Sequence, residues 1–279
     1  MRPCAIIPAY DAERAVAEVV REVRSVWPER EAVFVIDDGS RDRTAEAARE
    51  AGARVLVHGR NRGKGAALRT GMEAAAAAGF DVAVTIDADG QHPAREALRL
   101  LDADADARAL VLGIRDLARD GAPRSSQISN RISNFFLSLF SRRALGDTQC
   151  GLRRYPLPLA VELGGRDDGY AFEAEIILRA IAAGARLVEV PVRVFYPPPS
   201  ARLTHFDSVR DPARIVLRVV KTLVLTAGLT RSPASVVAPV GASSGASSGA
   251  SNGASSGAPS RPHPPAHGDP RGPRGASPG

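Results

Sequence analysis

The chain has 279 residues, of which 44% are hydrophobic and 24% are charged, and its formal net charge is +6. These values are ordinary for a soluble globular protein with one sizeable hydrophobic core. Half of the net charge falls after residue 230, and the remaining +3 is too small an excess to indicate a nucleic-acid partner. The chain has only two cysteines, Cys4 and Cys150, in apolar or motif segments, which favours buried reduced thiols and a cytoplasmic protein.

The last fifty residues differ in composition from the rest of the chain. From Arg231 onward Ser, Gly, Ala and Pro dominate, and there is no aromatic residue. Ordering each residue costs roughly 1–2 kcal/mol of backbone entropy, and this segment has little apolar surface to bury in return. We therefore predict one folded domain over 1–230 and a disordered tail over 231–279.

Strand-like and helix-like patterns alternate through the first ninety residues. Short apolar runs predict strands, and apolar residues at spacings of three and four predict helices. The predicted strands are 4–7, 32–36, 54–57 and 82–86, and the predicted helices are 13–27, 44–51 and 63–78. This alternation predicts an α/β fold, with a mostly parallel sheet flanked by helices.

The fourth predicted strand ends in two carboxylates one residue apart, Asp87 and Asp89, followed by the amide of Gln91. Open α/β sheets bind their ligands at the carboxyl ends of their strands. Two carboxylates this close repel each other unless a cation lies beside them, and hard oxygen ligands suit Mg²⁺ or Mn²⁺. The pattern indicates a metal and nucleotide site, the alternative being plain carboxylates at the end of a strand.

Two other nucleotide-binding motifs are excluded by their spacing. The turn after the first strand, residues 8–13, has no glycine, so the Gly-x-Gly-x-x-Gly fingerprint is missing. Residues 59–65 have one spacer too few for a P-loop, and Gly65 stands where Ser or Thr must meet Mg²⁺. Lys64 either shapes a turn near phosphate or simply begins a helix.

A set of short motifs occurs in order along the chain. They are Ile-Pro-Ala-Tyr at 7–10, Asp-Asp-Gly-Ser at 37–40 with Asp42 and Thr44, Asn-Arg-Gly-Lys-Gly at 61–65, Asp-Ala-Asp-Gly-Gln-His-Pro at 87–93, Asp-Thr-Gln-Cys-Gly at 147–151 and Glu-Val-Pro at 189–191. Together they resemble the family-2 glycosyltransferases of GT-A fold. The last two resemble its dolichyl/polyprenyl-phosphate mannose or glucose synthase branch.

The resemblance implies roles for individual residues. Pro8, Tyr10 and Asp38 would hold the base and ribose of a nucleoside diphosphate sugar, either GDP-mannose or UDP-glucose. The segment of Asp87, Ala88, Asp89 and Gln91 would hold the donor, with Asp87, Asp89 and Gln91 on the divalent ion. Arg115 of a Gly-x-Arg segment would meet phosphate. The chain departs from the family pattern at residues 11–12, where Asn-Glu is usual, and at Arg43, where glycine is usual.

The second half of the chain contains two segments suited to a lipid acceptor. Apolar residues at helical spacing between Ile128 and Phe140 form either a core-facing helix or a surface that receives a lipid chain. Basic residues repeat along one face of a later helix, from Arg210 to Lys221, which suits an anionic membrane surface or a solvated stripe. We expect a soluble or peripheral membrane protein.

The predicted reaction transfers a hexose, with inversion, from the sugar nucleotide to a polyprenyl phosphate. A phosphate acceptor needs no proton removed, so Arg115, Arg131 and Arg202 would serve as positioners, with Asp89 at the metal. A hydroxyl acceptor would need a base, and the candidates in order are Asp147, Glu173 and Glu175. The alternatives are transfer to a small soluble or glycan acceptor, and sugar-nucleotide binding without turnover.

Overall fold

The computed structural model describes residues 1–196. The second predicted acceptor segment, Arg202 and the predicted boundary at residue 230 lie outside the described residues. Within 1–196, the chain forms seven helices and one sheet of seven strands. No helix in this part of the chain is long and apolar enough to cross a membrane.

The strands form a single mixed sheet in the order β3-β2-β1-β4-β6-β5-β7. Their bounds are β1 Pro3–Ala9, β2 Val33–Asp37, β3 Arg54–Val57, β4 Val82–Thr85, β5 Leu110–Arg115, β6 Arg153–Pro156 and β7 Leu187–Val192. All neighbouring pairs are parallel except those that involve β6, which runs antiparallel to both β4 and β5. The prediction of a mostly parallel sheet is confirmed.

The helices flank this sheet in two packed groups. Their bounds are α1 Glu13–Val26, α2 Thr44–Glu50, α3 Lys64–Ala77, α4 Ala94–Asp102, α5 Arg124–Ser141, α6 Leu157–Leu163 and α7 Ala171–Ala182. Helix α1 packs with α2 and α4, whereas α3 packs with α6 and α7, and α7 with α5. The three helices expected from sequence are present within one residue of their predicted ends.

The hydrophobic core lies between the helices and the central strands. Every residue of β1, β2 and β4 is buried, as expected for apolar strands covered on both faces. Helix α3 comes especially near the sheet, since a Cβ on Gly71 would lie 2.7 Å from Cγ2 of Ile6. Its run of alanine and glycine therefore permits close packing rather than marking a weak helix.

The topology brings three strand ends to one edge of the sheet. Parallel pairing aligns Pro8 with Ile36 and Ala9 with Asp37, so the turns that follow β1 and β2 are adjacent. Because β6 is antiparallel to β4, with Thr85 opposite Arg153, the segment before β6 arrives at the carboxyl end of β4. This reversal places the 147–151 motif beside the carboxylate pair.

Candidate active site

A cavity of about 430 Å³ opens at this edge of the sheet. It is lined by most of the residues that the sequence predicts for the donor and the metal: Pro8, Tyr10, Asp38, Asp87, Ala88, Asp89, Gln91 and Arg115. Residues from β1, from the segment after β4 and from β5 thus meet around one space, although they are far apart in the chain. The site residues remain predictions as ligand contacts, but the fold does bring them together.

Lys64 forms a partly buried ion-pair cluster in the wall of the cavity. Its ammonium Nζ lies 2.7 Å from Oδ1 of Asp87 and 3.3 Å from Oε2 of Glu173. Burial alone would raise the pKa of Asp87, but the Lys64 ammonium holds it below its usual range. Lys64 both begins α3 and contributes charge to the cavity, so the two sequence interpretations of this residue are compatible.

Asp89 lies beside this cluster without a cationic partner of its own among the described residues. Its Oδ1 accepts a hydrogen bond from the backbone N–H of Gln91 at 3.0 Å. Burial and the neighbouring Asp87 carboxylate raise the pKa of Asp89 to about 6. Both carboxylates are partly exposed, and their pKa values are shifted in opposite directions by their surroundings, which is common at functional sites.

The donor set at this point fits a divalent cation that also binds a diphosphate. Asp87, Asp89 and Gln91 offer carboxylate and amide oxygens, the ligands that Mg²⁺ prefers. Residues 1–196 contain no cluster of three or more His, Cys, Asp or Glu that could hold a metal alone. Mg²⁺ in phosphate-transferring sites is commonly held by one or two carboxylates plus the substrate phosphates, which matches this sparse set.

Asp38 organises the turn that precedes α3. Its Oδ1 accepts from the N–H of Arg62 at 3.0 Å and its Oδ2 from the N–H of Gly63 at 2.7 Å. Nδ1 of His58 lies 2.6 Å from the same Oδ1, and Nε2 of His58 lies 3.0 Å from Oγ1 of Thr70. In the sequence, His58 is a lone histidine after β3 that belongs to no motif, so no signal marked its role.

The departure from the family pattern at residues 11–12 has a local structural consequence. Asp11 has a left-handed backbone with φ +47°, and its Oδ1 accepts from the N–H of Arg41 at 2.7 Å. The N–H of Ala12 donates to Oγ1 of Thr44 at 2.8 Å. Asp11 and Ala12 both line the cavity, so a methyl group stands where the family usually supplies a glutamate.

Arg115 reaches the cavity from the end of β5 and is clamped by Asp147. Nε and Nη2 of Arg115 donate to Oδ2 and Oδ1 of Asp147 at 2.7 Å and 3.1 Å. Burial would raise the pKa of Asp147, but the guanidinium lowers it, and Asn130 donates to the same Oδ1 at 2.5 Å. Asp147 is 1% exposed and does not line the cavity. This environment disagrees with the prediction of Asp147 as a general base, because its lone pairs are already occupied.

The other two predicted bases differ from each other. Oε1 of Glu175 pairs with Arg179 at 2.8 Å, and its Oε2 accepts from the backbone N–H groups of residues 166 and 167. Glu175 therefore stabilises the start of α7 and its preceding loop. Glu173 lines the cavity, and within the described residues its buried Oε1 has no hydrogen-bond partner. Of the three candidates, Glu173 is the one that lines the cavity.

The predicted positioner Arg131 is not brought to the cavity. Arg131 is exposed on α5 and is not among the cavity-lining residues. Arg202 lies outside the described residues.

His92, to which the sequence assigned no role, is buried in the cavity wall, and burial lowers its pKa to about 4. Its position next to Pro93 looks like a turn residue in sequence, so no signal distinguished it.

Helix α5 carries its polar residues inward and its apolar residues outward. Ser129, Asn130 and Ser133 are buried, whereas Phe135 is 63% exposed. The other exposed apolar side chains on this helix are Ile128, Ile132 and Leu139, at helical spacing. The prediction of a core-facing apolar helix is therefore wrong for most of these residues, because the core-facing side is mainly polar and the apolar side faces out. The alternative, a surface that receives a lipid chain, stays a prediction.

The comparisons with known proteins identify the family of this chain. The family model of Glycosyl transferase family 2 matches residues 4–154, more than half of the chain. The chain therefore belongs to glycosyl transferase family 2, and the protein is a glycosyltransferase.

Relatives with curated names include lipid-phosphate transferases. Undecaprenyl-phosphate mannosyltransferase of Micrococcus luteus is 32% identical over 69% of this chain and 83% of its own length. Polyprenol monophosphomannose synthase of Mycolicibacterium smegmatis is 31% identical over 68% of this chain and 76% of its own. Glycosyltransferase AglJ of Haloferax volcanii is 29% identical over 77% of this chain and 69% of its own.

Solved structures confirm the GT-A fold. Glucosyl-3-phosphoglycerate synthase from Mycobacterium tuberculosis, in complex with Mn²⁺, UDP and glucosyl-3-phosphoglycerate, covers 83% of this chain and 81% of its own, with a TM-score of 0.59 and 20% identity. The same enzyme with Mg²⁺ and UDP gives a TM-score of 0.60 at 19% identity. At this identity the likeness concerns the fold.

Proposed function

We propose that this protein is an inverting, metal-dependent hexosyltransferase that moves mannose or glucose from a nucleoside diphosphate sugar to a polyprenyl phosphate. The observation that carries the proposal is the meeting of Asp87, Asp89 and Arg115 in one cavity, bordered by the first turn of α5 through Ser126. The relatives named as polyprenyl-phosphate mannosyltransferases support the acceptor class.

The carboxylate pair and Gln91 would hold Mg²⁺ or Mn²⁺ against the donor diphosphate. When bound, the cation supplies Lewis-acid stabilisation of the charge that develops on the leaving diphosphate. Lys64 keeps the Asp87 carboxylate ionised and oriented toward the cavity. Arg115 offers fixed guanidinium donors to phosphate, in an environment that excludes most water and strengthens the interaction.

The proposed acceptor is already an anion, so the reaction does not require a general base. This fits the surroundings of the cavity, where Asp147 and Glu175 lie behind the lining and are paired with arginines. A phosphate oxygen held by cationic side chains is oriented for in-line attack on the anomeric carbon, and positioning of this kind supplies a large part of the rate. Glu173 remains available to accept a hydrogen bond from a hydroxyl group of the sugar.

The outward apolar face of α5 supports a lipid-linked acceptor. Ile128, Ile132, Phe135 and Leu139 form an apolar stripe next to the basic residues Arg124 and Arg131. A helix with apolar and cationic groups on its exposed side binds at the surface of an anionic membrane. We therefore propose peripheral contact with a membrane, with the isoprenoid chain approaching along α5.

The test is sugar transfer from radiolabelled GDP-mannose and UDP-glucose in the presence of Mn²⁺, with and without polyprenyl phosphate. The proposal expects label in the lipid fraction with one of the donors, only when both Mn²⁺ and polyprenyl phosphate are present. Transfer to 3-phosphoglycerate but not to lipid would favour a soluble acceptor. Donor binding without turnover toward any acceptor would contradict the enzymatic proposal.

A further inference from the structure

The segment 147–149 lines the cavity and is hydrogen-bonded to helix α5. Thr148 and Gln149 line the cavity, while Asp147 lies behind them and holds Arg115. Asp147 also accepts the hydrogen bond from Asn130 of α5, at the Oδ1 that accepts from Nη2 of Arg115. Besides the direct contact of Ser126 with the cavity, α5 is thus connected to Arg115 through the buried side chains of Asn130 and Asp147.

Hydrogen bonds continue from Asn130 along the inner face of α5. Nδ2 of Asn134 donates to Oδ1 of Asn130 at 2.5 Å and to the carbonyl of Gly146 at 2.6 Å. Oδ1 of Asn134 accepts from the N–H of Thr148 at 2.9 Å. A helix that lacks an apolar seam over these positions is placed by the geometry of these bonds, which is more specific than apolar contact.

The guanidinium of Arg115 is left with donors for a ligand. Its hydrogen bonds within the described residues go to Asp147 and to the hydroxyl of Tyr196, at 3.3 Å. These account for three of the five N–H donors of an arginine. A bidentate carboxylate fixes the plane of the guanidinium, so Asp147 determines the direction in which the remaining donors point.

We propose that Asp147 and Asn130 are positioning residues, which orient Arg115 toward a phosphate group and make that orientation depend on the placement of α5. The proposal rests on the proposed function, in which Arg115 meets phosphate. Because the outer side of α5 carries the exposed apolar stripe, the same helix would link lipid contact outside to the phosphate-binding arginine inside. Displacement of α5 would change the Asn130–Asp147 bond first.

The experiment is a double-mutant cycle between Asp147→Asn and Arg115→Gln, read as binding affinity by calorimetry. Two probes separate the source of the phosphate: GDP or UDP with Mn²⁺, and a short-chain isoprenyl phosphate. The cycle is read on the probe whose affinity Arg115→Gln reduces. We expect Asp147→Asn to reduce the affinity for that probe about ten-fold when Arg115 is present, and less than about two-fold in the Arg115→Gln background. Equal losses in both backgrounds would overturn the proposal.

A second pair of variants tests the positioning role if Asp147→Asn does not fold. Asn130→Ala removes a bond to Asp147, whereas Ser133→Ala removes a buried bond of the same helix face to Thr148, at 2.8 Å. We expect Asn130→Ala to reduce the affinity for the probe about three-fold and Ser133→Ala to leave this affinity unchanged. The two variants should have similar thermal stability. Equal effects would mean that the network is merely structural.

The outcomes separate this inference from the proposed function. Failure of the wild-type protein to bind either probe overturns the proposed function and the inference together. Binding by wild type that Arg115→Gln leaves intact removes the phosphate role of Arg115, on which the inference rests. Binding that depends on Arg115 but not on Asp147 or Asn130 overturns the positioning role alone.

Discussion

Gly151 lies against the carboxylate of Asp87 so closely that a Cβ at residue 151 would lie 2.2 Å from its Oδ2. The carbonyl of Gly151 also accepts a hydrogen bond from Oγ1 of Thr85 at 2.7 Å, which fixes the two segments together. The glycine of the 147–151 motif is therefore required by the space that a carboxylate from another strand occupies.

Gly151→Ala should displace the Asp87 carboxylate and weaken binding of Mn²⁺ with nucleotide by about ten-fold or more, because metal sites tolerate only small shifts of their ligands. Calorimetric titration with UDP or GDP in the presence of Mn²⁺ measures this loss. Gly59→Ala is the control, since a Cβ there meets nothing within 4 Å. Unchanged binding by Gly151→Ala would show that Asp87 is not needed in its present position.

Lys64→Met should destabilise the protein by about 2 kcal/mol in chemical denaturation, because it leaves the buried Glu173 and the partly exposed Asp87 without their cation. Adding Glu173→Gln to this variant should recover part of the loss, since one of the two stranded charges is removed. Mn²⁺ should raise the melting temperature of Lys64→Met more than that of wild type. A variant as stable as wild type without metal would contradict the ion-pair account.

We predict that the stability of the protein depends on pH through the buried His92. Burial, with Arg115 and Lys64 nearby, lowers its pKa from 6.5 to about 4, so between these values the unfolded chain binds more protons than the folded one. The free energy of unfolding should therefore fall as the pH drops from about 6.5 to 4. Wild type should lose roughly 2–3 kcal/mol more than His92→Gln over this interval. Parallel pH profiles for the two proteins would contradict the burial of a neutral imidazole.

Phe135→Ser should weaken binding to vesicles of anionic phospholipid by about ten-fold, because a large apolar side chain loses its lipid contact. Binding of the sugar nucleotide in solution should not change. Val161→Ser, an exposed apolar residue on α6, serves as the control. Equal vesicle binding by all three proteins would mean that α5 does not face lipid.

The first half of the fold was predictable because its sequence signals are local. Apolar strands such as Val82–Thr85 and helices with valine at spacings of three and four carry their structure in their own periodicity. The carboxylate pair was also predictable, since its position after a strand places it at the ligand edge of the sheet. The nearby turn at Asp38 followed from the same rule.

The second half depends on partners that are distant in sequence. Arg153 and Arg154 look like surface residues, yet both are fully buried in β6, where their guanidinium groups donate to backbone carbonyls such as those of Thr148 and Leu101. Asp147 resembles a free base in sequence, and only the fold reveals the arginine that occupies it. The inverted polarity of α5 similarly depends on the 146–149 segment that it faces.

We propose that Asp89 holds a divalent cation on which donor binding depends. Calorimetric titration of GDP-mannose and UDP-glucose, with and without Mn²⁺, into wild type, Asp89→Asn and the exposed control Asp102→Asn measures this dependence. We expect Mn²⁺-dependent binding of a donor by wild type and by Asp102→Asn, and at least about a hundred-fold loss of affinity in Asp89→Asn with its fold intact. Equally tight binding by Asp89→Asn, or binding by wild type that is indifferent to Mn²⁺, would contradict this proposal.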